Sequence, residues 1–140
     1  MRLELPSGLR EVHRMTIPVR WGDLDAMGHV NNTIYFRYFE TLRIDWLARQ
    51  GSAPTADGIG PLMANGFCNF RRQVEYPCDL LARHFVGRLG TTSVDTYFTL
   101  CTAEAPDQVC ADGGATLVWV DFPRQRPVPL PQWLRELCAA

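Results

Sequence analysis

The chain has 140 residues, 46% hydrophobic and 21% charged, with a formal net charge of -1. That length supports one domain with its own core, so a single domain over residues 1–140 is expected. The near-neutral balance excludes a general nucleic-acid binder, and no apolar run approaches the ~20 residues that cross a bilayer.

The N-terminal stretch Met1 to Gly8 lacks the apolar core of a signal peptide, which predicts a cytoplasmic protein. Cys68, Cys78, Cys101, Cys110 and Cys138 are an odd number with no Cys-x-x-Cys pair, so free thiols are expected rather than disulfides or a zinc site. All 14 basic residues are arginine. Guanidinium forks suit phosphates, but codon bias explains the absence of lysine more simply.

From Glu11 to Trp21 the residues His13, Met15, Ile17, Val19 and Trp21 alternate with Arg14, Thr16 and Arg20, the period of a half-buried strand. Pro18 has no N–H for a ladder, so this strand belongs at a sheet edge or turns there. Asp23 and Asp25 then leave the strand for a short loop, and Gly28 and His29 follow. Asn31 and Asn32 open a helix as its candidate caps. The first amides of a helix lack intrahelical acceptors and carry the positive end of its dipole, so they can hold a carbonyl oxygen that becomes an anion. Carboxylates facing such donors point to acyl-group hydrolysis.

From Thr33 to Gln50, Tyr35, Phe39, Leu42 and Trp46 recur at helical spacing with Tyr38 beside them, and Gly51 ends the element. Glu40 sits across the wheel between Arg37 and Arg43, which predicts a solvated ion-pair face. Four more strands are expected over Phe67–Tyr76, Leu80–Leu89, Thr92–Thr102 and Val109–Phe122. Pro77 with Asp79, Gly90 and Ala105-Pro106-Asp107 mark the turns, and Gly113-Gly114 reads as a bulge. Leu117 to Val120 is apolar on both faces, so its strand is central, with one side on the helix and the other covered by something else, such as a second subunit. A short helix can follow the proline-rich run from Pro127. One strand, a long helix and four consecutive strands give an α+β layout, an antiparallel sheet wrapped around one helix.

The segment Asp23-x-Asp25-x-x-Gly28-His29-Val30-Asn31-Asn32-x-x-Tyr35 resembles the hotdog-fold thioesterases of the 4-hydroxybenzoyl-CoA thioesterase-like group. The resemblance implies a hotdog fold, homodimers or homotetramers with active sites between subunits, and hydrolysis of acyl-CoA or acyl-carrier-protein thioesters without metal or other cofactor. It assigns Asp25 as nucleophile or general base, and the backbone N–H of Asn32 as the group that polarises the thioester carbonyl. His29, Asn31 and Asn32 replace apolar residues of the aryl-specific prototype, which places the chain nearer its fatty-acyl relatives. A noncatalytic acyl-binding module and a hotdog dehydratase are the alternatives.

Each candidate has a plainer reading. Asp25 can be a turn or capping aspartate, and Asp23 fits a loop-shaping role better than a chemical one. His29 is a candidate general acid or loop hydrogen-bonder; with Asp23 and Asp25 it lacks a fourth metal ligand. Tyr35 can line an acyl pocket or simply pack. Arg71 and Arg72, expected mid-strand, and Arg88 in the next strand are candidate contacts for coenzyme A phosphates or ordinary surface charges.

Overall fold

Alternation of apolar and polar residues sets the architecture, because every strand has one face to bury and only one long helix is available to receive it. The computed structural model describes residues 3–139. It contains β1 (Arg10–Pro18), α1 (Asn32–Arg49), β2 (Ile59–Phe70), β3 (Asp79–Leu89), β4 (Ser93–Thr102), β5 (Val109–Asp121), β6 (Arg126–Pro127) and α2 (Gln132–Ala139). The sheet is antiparallel in the order β1-β3-β4-β5-β2, and β6 adds a short pairing to β5. It wraps around α1, the hotdog arrangement.

Every second residue of β3 and β4, Leu80 to Val86 and Val94 to Leu100, is buried. They meet Tyr35, Phe39, Leu42, Trp46 and Leu47 of α1 in one core. Phe39 stacks on Phe98 with ring centroids 4.8 Å apart, and Trp46 meets His84 edge-on at 4.7 Å. Trp133 of α2 joins Trp46 and Trp119 at 5.5 and 6.4 Å, which closes one end of the core.

Pro18 ends β1, which is an edge strand as its missing N–H requires. Trp21 departs from the expected buried face. It lies in a 3-10 turn over Trp21–Asp23 and is 75% exposed. The strand expected over Phe67–Tyr76 instead runs over Ile59–Phe70. Gly60, Pro61 and Gly66 disguise it, and they are tolerated because β2 is an edge strand with a register shift between Met63 and Asn65.

Strand β5 is central, paired with β4 and β2. No bulge occurs at Gly113-Gly114; the register passes straight through against both neighbours. The glycines serve close approach. A Cβ at Gly113 would run into the Phe67 carbonyl oxygen and lie 3.1 Å from the Phe39 ring. Part of the sheet's outer cover comes from the chain itself: Asn69 Nδ2 donates to the Leu3 carbonyl at 2.6 Å, and Leu9 lies against Gly87.

Candidate active site

Between β1 and α1 a bridge from Leu24 to Val30 pinches the chain into a tight turn. The Gly28 N–H donates to the Asp25 carbonyl at 3.1 Å, and Gly28 closes the turn at φ 79°, where a side chain is strained. Asp25 Oδ1 accepts from the Met27 and His29 N–H groups at 2.8 and 3.3 Å. Its Oδ2 has no hydrogen-bond partner among the described residues, and the residue is exposed. Asp23 does shape the loop: Oδ2 accepts from the Arg20 N–H at 2.9 Å and from the Tyr38 hydroxyl at 2.7 Å. Burial first, then the bond to Asp23, holds that phenol far above its ordinary range.

Asn31 and Asn32 divide the work of starting the helix. Asn31 is the cap; its side chain accepts from the Thr33 N–H at 2.9 Å and its carbonyl from the Ile34 N–H at 2.9 Å. Asn32 is the first helical residue, and its N–H meets no acceptor among the described residues. The cap thus occupies the second and third amides and leaves the first open.

Asp25, His29, Asn32, Tyr35, Arg71 and Arg72 line one cleft of 370 Å³, together with Met27, Val30, Phe70 and Gln73. A hydrogen bond from Val30 N–H to the Val74 carbonyl, 2.8 Å, fastens the loop to the segment after β2. Tyr35 is 3% exposed and packs edge-on against Phe70 at 5.0 Å. Burial, with smaller contributions from Cys110 and Cys68, pushes its hydroxyl up to about 12, so it stays neutral. His29 Nε2 lies 3.6 Å from a Glu75 oxygen.

Arg71 and Arg72 are not mid-strand; they follow the end of β2, where both N–H groups donate to the Cys110 carbonyl at 2.8 and 2.9 Å. The Arg71 side chain is engaged by Asp112 at 2.7 Å, and that carboxylate, 8% exposed, also accepts from Asn69 at 2.9 Å. Arg72 makes no side-chain hydrogen bond or ion pair among the described residues. Arg88 stands apart, lining a separate recess with Arg10, Asp95 and Tyr97. Phe70 and Gln73 were invisible as site residues, since only sheet pairing brings them to the loop. No three His, Cys, Asp or Glu side chains converge on a metal position, and no helix is long and apolar enough to cross a membrane, among the described residues.

The family model of the thioesterase-like superfamily matches residues 19–137, including the whole cleft. The chain belongs to that superfamily. As a hotdog thioesterase it is a thioester hydrolase. The long-chain acyl-CoA thioesterase FadM of Escherichia coli (strain K12) is 33% identical over 127 residues, covering 86% of this chain and 92% of its own. The PA2801 protein of Pseudomonas aeruginosa superposes with a TM-score of 0.89 at 35% identity, over 92% of this chain and 99% of its own. PA5185 of Pseudomonas aeruginosa strain PAO1 gives 0.82 at 32%, over 96% and 95%.

Proposed function

We propose that this hotdog thioesterase hydrolyses acyl-CoA thioesters, with Asp25 as catalytic carboxylate and the Asn32 N–H as oxyanion donor. One observation supports this above the rest: a carboxylate with a free oxygen and an unoccupied helix-terminal N–H share a cleft. A carbonyl lodged on that N–H lies at the positive end of α1, and the bond strengthens as charge grows on oxygen. Asp25 either attacks the carbonyl carbon, expelling thiolate and leaving a mixed anhydride that water opens, or takes a proton from the attacking water. Both routes end in free acid and thiol. His29 is the group in the cleft suited to protonating the leaving thiolate. Tyr35 flanks the thioester in the same cleft. Arg72, with its unpaired fork, is the phosphate contact, while Arg71 braces the cleft through Asp112.

A homodimer or larger assembly belongs to the same proposal, because edge strand β2 exposes Leu62 and Met63 at 54% and 46%. So does a cytoplasmic setting, in keeping with five free cysteines. Release of free thiol from a panel of acyl-CoAs tests the activity. Asp25→Asn should cut turnover by roughly 10²–10⁴ while leaving the fold intact, since an amide oxygen still accepts from Met27 and His29. Full activity in a folded Asp25→Asn variant would move the chemistry elsewhere, with Glu40 next to test.

A further inference from the structure

A second cleft, of 220 Å³, lies beside α1. Thr33, adjacent to Asn32, lines it, and Phe36, Phe39, Phe98 and Met63 supply apolar walls. Arg37, Glu40 and Arg43 add the charges. Glu40 is paired with Arg37 at 2.8 Å, as expected of a solvated face. Arg43 departs from that expectation. It is only 9% exposed, and among the described residues it has neither a hydrogen bond nor a carboxylate within 4.0 Å.

A guanidinium keeps its proton, and the Arg43 nitrogens face the cleft, so its donors are free to bind an acceptor there. Burial disfavours the charge on Arg43 and Glu40 only partly offsets this. The neighbouring core imidazole, His84, is held neutral by its own burial and adds no further positive charge beside Arg43. With two guanidinium groups and one carboxylate in its lining, the cleft is net positive, and Arg43 makes no ion pair or hydrogen bond there among the described residues.

We propose that this cleft receives the substrate's acyl group and that Arg43 binds a carboxylate at its far end, making ω-carboxyacyl-CoA thioesters the favoured substrates. The inference rests on the placement of the thioester at Asn32 proposed above. Arg43 follows Asn32 by eleven residues, about 16 Å of helix rise, and helical side chains lean back toward the N-terminus and shorten that span. Such a span calls for a medium-length acyl group. The aromatic walls suit its methylenes, and the guanidinium fork suits its terminal oxygens.

The test is kcat/KM for adipyl-, suberyl- and sebacyl-CoA against hexanoyl-, octanoyl- and decanoyl-CoA. At one or more matched lengths the carboxylated substrate should be favoured at least about tenfold, the order of one hydrogen bond to a charged group. Arg43→Gln should bring the ratio toward one by raising KM for the carboxylated member. Its thermal midpoint should hold or rise, since an unmatched buried charge is gone. Free suberate should compete with substrate better than octanoate does, in the parent protein but not in Arg43→Gln. Equal rates within matched pairs, or a preference that survives Arg43→Gln, would overturn the proposal. Unchanged selectivity with weakened self-association would assign Arg43 to a second copy of the chain and overturn it equally. Hydrolysis of the unsubstituted series without any carboxylate preference leaves the acyl-CoA activity standing and removes only this inference. No hydrolysis of any member removes both.

Discussion

At position 32 the side chain and the main chain can be separated. The Asn32 side chain makes no hydrogen bond among the described residues, so Asn32→Ala should keep most activity. Proline suits the first helical position, and Asn31 already sits at φ -61°, ψ 139°, the region that a following proline demands. Asn32→Pro should therefore fold by circular dichroism yet lose roughly 10²–10³ in kcat with its N–H. Equal rates in folded alanine and proline variants would remove this amide from the mechanism. His84 is a second single-residue test. Burial lowers its imidazole to about 3, with Arg43 and His13 adding to the effect, and neither ring nitrogen has a hydrogen-bond partner among the described residues. The unfolded chain binds this proton near pH 6.5 and the native state only far below, so stability is full above that pH and drains as pH falls. The slope is about 1.4 kcal/mol per pH unit for one proton. His84→Phe keeps the stack on Phe98 and should flatten the decline in urea unfolding free energy measured between neutral and mildly acidic pH; an unchanged slope would refute the assignment. At this scale the sequence was most legible where the site is local. Asp25, His29, Asn32 and Tyr35 fall within one turn and one helical start, whereas Phe70 and Gln73 reach them only through sheet pairing, and the burial of Arg43 depends on what β2 and β4 place opposite it.

Among the elements, α1 was legible from Tyr35, Phe39, Leu42 and Trp46 at helical spacing with Gly51 past its end, β4 from its alternation, and β3 and β5 from the turn residues that bound them. Strand β2 was not. Its first half carries Gly60, Pro61 and Gly66, which read as breakers, and the alternation of Arg71 to Tyr76 past its end imitates a strand. An edge position excuses the first feature; against the second, the Cys110 carbonyl accepts from both the Arg71 and Arg72 amides, which ends the ladder at Phe70. The glycine pair in β5 reads as a bulge for the converse reason: it marks crowding across the sheet, which sequence does not display. Gly113→Ala should consequently destabilise by about 1–3 kcal/mol, the range for overpacking a tight interior, because the obstacle is the backbone of Phe67 and cannot swing aside. A urea midpoint equal to that of the parent would show that the strands separate more easily than their register suggests.

For the molecule as a whole, the unpaired edge of β2 is the open question that the fold poses to a second copy. The prediction from a strand apolar on both faces holds only in part, since Leu117 and Trp119 are buried within this chain and Val118 and Val120 remain half-buried. The exposed side chains of Leu62 and Met63 mark the better candidate for self-association. Light scattering at micromolar concentration should give a dimer or tetramer, and Leu62→Lys with Met63→Glu should shift it toward monomer by placing charges on the edge. A monomeric parent would disprove the assembly, and a double variant that still associates would move the interface away from β2.

Asn31 spends its oxygen atoms on the two amides beyond its neighbour, and this has a bearing on how the family diverges. Under the proposed mechanism, what catalysis draws from position 32 is a main-chain group that nineteen amino acids share. Natural selection then has little to hold constant there except the avoidance of proline, while the residue before it, whose work is to cap the helix, is narrowly restricted to good caps. A survey that ranks positions by side-chain identity would place the bystander above the participant.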